Sequence, residues 1–186
     1  MAYMIPADAF RNMPSLRGAH VRLEPLTEAV FEDYWAALSD AEVGRLTGTH
    51  AEFSAPGVRE WLRTRREHHD RADWAVFRSR DGTFIGEAVL NDFDPANESA
   101  SYRVWLAGLD VYGHGYGTEV TRLVVDYALG DIGLHRVSLE VFDHNPRARH
   151  VYETCGFVVE GRLRDALLWE GTRHDALTMA ILKSDQ

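Results

Sequence analysis

The spacing of apolar and polar residues in the first half of the chain predicts a strand, two helices and three further strands. Apolar residues alternate over residues 20–26, as in a strand, and recur at helical spacing over residues 30–38. Ser54 and Pro56 mark a second helix, because serine is a good N-cap and proline fits the first helical turn. The next strands, joined first by the hairpin signal Asp81-Gly82, form an antiparallel meander over residues 74–80, 83–92 and 100–107.

The second half of the chain begins with an amphipathic helix over residues 118–129, whose apolar residues share one face. Gly130 and Gly133 end that helix. Asn145 then caps a short helix that Gly156 ends. Further strands are predicted over residues 136–142, 157–160, 166–169 and 175–182. The order β-α-α-β-β-β-α-β-α-β-β indicates a mixed α+β fold rather than an all-parallel sheet.

Length and composition indicate one domain. The chain has 186 residues, of which 45% are apolar, and we expect a short tail over residues 1–13 and a single domain over residues 14–186. No apolar run approaches the roughly 18–20 residues that span a bilayer, so no membrane partner is expected. Cys155 is the only cysteine, which excludes an internal disulfide and favours a cytoplasmic location.

The charge of the chain bears on its partners. The net charge is −9, and Lys183 is the only lysine among 20 basic residues. An acidic surface repels phosphates and attracts cations, which disfavours nucleic acid and favours a cationic substrate such as an amine. The nine histidines are scattered, without His-x-x-x-His spacing, and we predict no metal site.

A glycine-rich loop, Tyr112-Gly-His-Gly-Tyr-Gly-Thr118, joins a predicted strand to the amphipathic helix. Glycines let backbone N–H groups converge, and a helix N-terminus attracts phosphate. A flexible connection without a ligand is the alternative. A nucleotide P-loop is excluded because it needs a lysine, and the Gly-x-Gly-x-Gly spacing differs from the dinucleotide fingerprint.

Several motifs in order make the chain resemble the GCN5-related N-acetyltransferase (GNAT) superfamily, and within it the branch of ribosomal-protein N-terminal acetyltransferases. The resemblance extends from Leu16 to about Leu182. Its motifs are Val21-Arg-Leu-Glu-Pro-Leu26, Gly113-His-Gly-Tyr-Gly-Thr-Glu119, Asn145-Pro-Arg-Ala148, Val151-Tyr-Glu-Thr-Cys-Gly-Phe157 and Glu160-Gly-Arg162.

The resemblance implies a mostly antiparallel sheet of about six or seven strands, splayed in the middle and flanked by about four helices. It also implies acetyl-CoA as co-substrate, with the pyrophosphate on the glycine-rich loop, and a homodimer. The family usually begins this loop with arginine or glutamine, where this chain has Tyr112. The implied cofactor-binding residues are Trp105, Leu106, Tyr112, Gly113, His114, Gly115, Tyr116, Gly117, Thr118, Asn145, Ala148 and Tyr152.

The catalytic residues are less narrowly defined. Tyr152 matches the family's tyrosine that protonates the leaving thiolate, although its spacing also fits a core aromatic. An attacking amine must lose a proton, and a carboxylate can accept it. Glu87, Glu140 and Glu160 are the candidates for this base, and the sequence does not choose among them.

The sequence thus predicts an N-acetyltransferase that moves an acetyl group from acetyl-CoA to a primary amine by direct attack. The amine is either a protein N-terminus or a small molecule. The alternative is a non-catalytic acyl-CoA-binding module.

Overall fold

The computed structural model describes residues 5–108 and 110–185, which fold around one sheet of eight strands in the order β1-β2-β3-β4-β5-β6-β8-β7. The strands are β1 (Leu16–Arg17), β2 (Val21–Pro25), β3 (Ala72–Arg78), β4 (Phe84–Asp94), β5 (Ser99–Leu106), β6 (Arg136–Phe142), β7 (Val158–Trp169) and β8 (Thr172–Leu182). The predicted α+β class is confirmed, with eight strands rather than six or seven.

In the described part of the chain five α-helices flank the sheet, and side-chain caps explain where three of them begin. Asp40, Ser54 and Asn145 each accept a backbone N–H of the first helical turn. No helix of the described residues is long and apolar enough to cross a membrane. The helices are α1 (Phe31–Leu38), α2 (Ala41–Thr47), α3 (Ala55–Thr64), α4 (Tyr116–Asp126) and α5 (Pro146–Thr154).

Between β5 and β6 the sheet splits. These two strands are the parallel pair of an otherwise antiparallel sheet, and they pair only where Ser99–Ser101 meets Arg136–Ser138. Beyond that point β5 runs on to Leu106 and β6 to Phe142 without a partner register between them. The central splay that the sequence resemblance implied is therefore present.

Two hydrophobic cores cover the two faces of the sheet. On β3, Trp74 packs in the core that contains Val120 and Val124 of α4, whereas Ala75 packs in the core that contains Tyr34 and Leu62 of α1 and α3. Neighbouring residues of a strand point to opposite faces. The helices α1 and α3 therefore lie on one face of the sheet and α4 on the other.

Other features of the fold also differ from the sequence prediction. Ile5 and Phe10, assigned to a tail, are buried in the α4-side core; residues 1–4 lie outside the described residues. The helix α2 was not predicted. The last hairpin has one continuous strand, β7, where two were predicted, because register shifts at residues 159–161 and 163–167 interrupt its alternation.

Candidate active site

A cavity of about 1010 Å³ opens at the split between β5 and β6. It reaches from the start of α4 to the side chains of α1 and α3. Two of the predicted site residues, His114 and Glu160, are not among its lining residues. The predicted residues that line it are Glu87, Trp105, Leu106, Tyr112, Gly113, Gly115, Tyr116, Gly117, Thr118, Glu140, Asn145, Ala148 and Tyr152.

The start of α4 presents free backbone donors to this cavity. The helix begins at Tyr116, two residues before the predicted start, and its N-cap is Gly115, which has no side-chain cap. The N–H groups of residues 116–118 therefore have no acceptor within the helix. Gly113 and Gly115 have φ of 81° and 80°, and a Cβ built on either meets nothing within 4 Å. Backbone donors and open space together suit a phosphate group.

A positively charged side chain that was not predicted from the sequence lies beside this loop. The guanidinium carbon of Arg147, in the first turn of α5, lies 3.7 Å from the centre of the Tyr112 ring, a cation–π distance. Tyr112 itself donates a hydrogen bond of 2.9 Å to the carbonyl oxygen of Leu106. Tyr112 is uncharged, but its ring positions the positively charged guanidinium of Arg147. Arg147 lines the same cavity.

The backbone of β5 supplies a donor at the split. Ala107 donates to the carbonyl of Ile85 on β4 at 3.0 Å, and Glu87 lies opposite Trp105 in the same register. Antiparallel residues alternate between bonding to the partner and pointing away from it. The N–H of Trp105 is thus directed toward β4, whereas the N–H of Leu106 points toward the split. Of the two predicted backbones, only that of Leu106 presents its N–H to the cavity.

Gly86 allows β4 to approach β5 closely at this point. Its φ is 153°, and a Cβ built there would lie 2.1 Å from the carbonyl oxygen of Trp105 and 2.9 Å from the Cα of Leu106. Glycine is therefore required beside the donor residue.

Glu87 is a buried carboxylate at the wall of the cavity. Its Oε2 accepts hydrogen bonds from Trp105 Nε1 at 2.8 Å and from the Tyr34 hydroxyl at 3.2 Å. Its Oε1 is buried and has no hydrogen-bond partner among the described residues. Burial raises the pKa of Glu87 to about 7, and the Asp73 carboxylate adds to the rise against the two hydrogen bonds. Glu87 can therefore accept a proton near neutral pH.

Tyr152 and Asn145 come from α5. The Tyr152 ring packs against Tyr102 and Phe157, and burial raises the pKa of its hydroxyl well above the usual value. The hydroxyl therefore stays protonated and has a proton to donate. Asn145 Oδ1 accepts the Ala148 N–H at 3.1 Å as the helix cap, which leaves its amide NH₂ free to donate.

The other two candidate bases differ from Glu87. Glu140 is exposed on β6, two residues beyond the last pair with β5, and lines the cavity. Glu160 is exposed and forms an ion pair with Arg136, which lowers the pKa of Glu160. A carboxylate with a lowered pKa is a weak base. The ion pair with Arg136 therefore does not support the predicted role of Glu160 as the general base.

Comparison with known proteins agrees with this geometry. A family model for the acetyltransferase (GNAT) domain matches residues 20–158. The chain belongs to the GNAT acetyltransferase family. It is 32% identical over 117 residues to a spermidine N(1)-acetyltransferase of Vibrio cholerae, covering 62% of this chain and 67% of that one. It is also 33% identical over 173 residues to the uncharacterized N-acetyltransferase YoaA of Bacillus subtilis, covering 91% and 97% of the two chains.

A solved GNAT structure shows the same fold. The crystal structure of spermidine N-acetyltransferase from Vibrio cholerae in complex with CoA and spermine superposes with a TM-score of 0.82 at 23% identity, covering 90% of this chain and 98% of that one. As a GNAT enzyme, the chain transfers an acetyl group from acetyl-CoA to an amine, and the alternative of a non-catalytic acyl-CoA-binding module is not favoured.

Proposed function

We propose that this GNAT enzyme acetylates a small primary amine that carries additional positive charge, and that Glu87 removes the proton from the attacking nitrogen. The observation that carries the proposal is the unpartnered, buried Glu87 Oε1 at the cavity wall. Glu87 lies directly opposite Trp105 on β5. Trp105 immediately precedes Leu106, whose backbone N–H faces the cavity.

The residues that line the cavity support a cationic substrate. Three carboxylates line it, from Glu52, Glu87 and Glu140, together with the aromatic rings of Tyr34 and Trp61. Carboxylates and ring faces both attract ammonium groups. Arg103 and Arg147 also line this cavity, and Arg147 is assigned to the coenzyme below. Spermidine, which the Vibrio cholerae relative is named for, belongs to the proposed class of amine.

The residues of the site divide the chemistry of acetyl transfer among them. When bound, acetyl-CoA supplies the thioester carbon. Glu87 Oε1 accepts a proton from the ammonium nitrogen, which leaves it free to attack that carbon. The Leu106 N–H donates to the oxygen on which negative charge develops. The Tyr152 hydroxyl donates a proton to the departing sulfur as the carbon–sulfur bond breaks. The nitrogen, which still carries one extra proton after its attack, gives that proton to the Tyr152 oxygen as the amide forms.

The same proposal assigns the coenzyme contacts. The N–H groups at the start of α4 hold the pyrophosphate, and Arg147 provides the cation that is missing at Tyr112. Cys155 has no covalent role, because its thiol is partly buried against the carbonyl of Thr118 and burial raises its pKa. A homodimer and a cytoplasmic location stay predictions from the sequence.

A protein N-terminus, as in the ribosomal-protein branch, is the competing acceptor. The discriminating experiment incubates the enzyme with acetyl-CoA and one acceptor at a time, and follows free thiol release and the mass of the product. The acceptors are a polyamine, an aminoglycoside and a series of N-terminal peptides. We expect kcat/KM to be at least about tenfold higher for a polycationic amine than for any peptide. Faster turnover of a peptide would contradict the proposed acceptor, and no thiol release with any amine would contradict the proposed function.

A further inference from the structure

Three potential metal ligands meet where β6 ends beside β8, and we call Asp143, His144 and His174 the Asp143 cluster. Each offers one ligand atom, and these atoms lie within 4.8 Å of one another. Asp143 Oδ1 is 3.2 Å from Nδ1 of His174 and 3.9 Å from Nδ1 of His144. None of the three lines the coenzyme cavity described above.

The tautomer of His144 follows from its surroundings. Its Nε2 lies 2.9 Å from the carbonyl oxygen of Arg45 in α2. A carbonyl oxygen only accepts hydrogen bonds, so Nε2 carries the proton. In the neutral ring, Nδ1 therefore holds a lone pair. Metal-binding histidines commonly donate their second ring N–H to a backbone carbonyl in this way, which orients the ring and makes the ligand more basic.

That lone pair is buried and has no partner. The His144 side chain is only 10% exposed, and its Nδ1 has no hydrogen-bond partner among the described residues. Asp143 and His174 lie on the side of the ring where the lone pair is. A carboxylate cannot donate a hydrogen bond to it, so the described protein groups leave this buried nitrogen unsatisfied.

The carboxylate of the cluster is also oriented from outside. Asp143 Oδ2 accepts the backbone N–H of Asp175 at 3.3 Å, and the Asp143 N–H in turn bonds to the carbonyl of Asp175 at 2.9 Å. The strand β8 thus holds Asp143 so that Oδ1 lies between the two imidazoles. His174 is half-buried and Asp143 is exposed, so an ion can reach the cluster from solvent.

We propose that Asp143, His144 and His174 bind a divalent transition-metal ion such as Zn²⁺. Two imidazoles and one carboxylate are suitable ligands for such ions. Tetrahedral Zn²⁺ with bonds of about 2.0–2.1 Å places its ligand atoms about 3.3 Å apart, which small rotations of the side chains achieve from the observed separations. The ion would take the place of the direct contact between His174 Nδ1 and Asp143 Oδ1.

The ion would have a structural role and would take no part in acetyl transfer. The ion would join β8 to the segment that leads into Asn145, while His144 keeps its bond to α2. Short spacings between histidines and cysteines in the sequence do not reveal this cluster. His174 follows Asp143 by 31 residues, and only the pairing of β6 with β8 brings the two together.

The test titrates the full, untagged chain with Co²⁺ and follows the visible absorption of the bound ion, then displaces Co²⁺ with Zn²⁺. The variants are His174→Ala and Asp143→Asn, which leave the contact between His144 and Arg45 in place. His135→Ala, an exposed histidine elsewhere, is the matched control. We expect one Co²⁺ per chain, displacement by Zn²⁺, and affinity at least about tenfold weaker in both cluster variants but unchanged in the control.

Three results would overturn the proposal. The first is the absence of Co²⁺ binding by the wild-type chain at submillimolar ion concentrations. The second is equal binding by the wild type and both cluster variants. The third is a loss of binding in His135→Ala as large as in His174→Ala, which would mean adventitious binding by surface histidines. A rise in Tm on adding Zn²⁺ to the wild type but not to His174→Ala would support the proposal independently.

Discussion

The Glu87→Gln substitution removes the charge and the proton-accepting oxygen from the site while it keeps the shape of the side chain. The amide oxygen can still accept from Trp105 Nε1 and from the Tyr34 hydroxyl, which now bond to Oε2. Loss of a general base typically lowers the rate by about 10²–10⁴-fold. We therefore expect kcat to fall by at least about 10²-fold, with little change in the dissociation constant of CoA.

The pH dependence of the rate provides a second test of the role of Glu87 as the base. With a pKa of about 7, about nine-tenths of the Glu87 side chains are ionised at pH 8 and about one-tenth at pH 6. The ratio of wild-type to Glu87→Gln rates is then expected to fall about tenfold from pH 8 to pH 6. Taking the ratio cancels the ionisation of the amine itself.

Stability should respond in the opposite direction to activity. The pKa of Glu87 is higher in the folded chain, about 7, than its ordinary 4.5, so between these values the folded state holds a proton that the unfolded state has lost. The free energy of unfolding therefore falls as pH rises through this window, by about 3 kcal/mol in total. Glu87→Gln lacks this loss and should be the more stable protein at pH 8.

The assay measures thiol release from pH 6 to pH 8, and urea unfolding from about pH 4.5 to pH 8, for the wild type, Glu87→Gln, Glu140→Gln and Glu160→Gln. Glu160 is the matched control, because it is exposed and lies outside the cavity lining. The reasoning is refuted if Glu87→Gln retains activity within threefold of the wild type, or if it is less stable than the wild type at pH 8. A larger loss of activity in Glu140→Gln would transfer the role of base to Glu140.

Three further substitutions test other parts of the site. Tyr152→Phe keeps the packed ring and removes the proton donor, so kcat should fall about 10²-fold with KM unchanged in steady-state assays; an unchanged kcat would exclude the role. Arg147→Ala should weaken CoA binding about tenfold by calorimetry at low salt, whereas Arg149→Ala, on the same helix but paired with Glu153, should not; equal effects would argue against a specific phosphate contact. Gly86→Ala should lower stability by more than about 1 kcal/mol and reduce kcat/KM, because its Cβ meets the β5 backbone; a wild-type Tm and rate would show that this approach is not needed.

Elements with strong local signals could be predicted from the sequence. The Asp81-Gly82 turn lies between β3 and β4, and Asn145 caps α5 as expected. The helix α2 has only seven residues with Gly44 near its middle, too short for a helical period to show. Most of β7 is exposed at the edge of the sheet, so its apolar residues do not alternate with polar ones.

The candidate site was likewise only partly predictable from the sequence. Glycine spacing predicted the loop at the start of α4, because backbone conformation is a local property. The stacking of Arg147 on Tyr112 and the burial of Glu87 under Tyr34 and Trp105 arise only from tertiary packing. A sequence without structure therefore left three carboxylates equivalent, and the environment of each distinguishes them.

Coenzyme binding at the start of α4 underlies every catalytic step described above, and one measurement tests it directly. Gly115→Asp places a negative side chain in the open space before the free N–H groups, and Gly171→Asp is its matched control, because both glycines have φ of 80° and open space at Cβ. Calorimetry should give a CoA dissociation constant that is at least about tenfold higher for Gly115→Asp and unchanged for Gly171→Asp. Equal affinity of the wild type and Gly115→Asp would contradict the assignment of this loop.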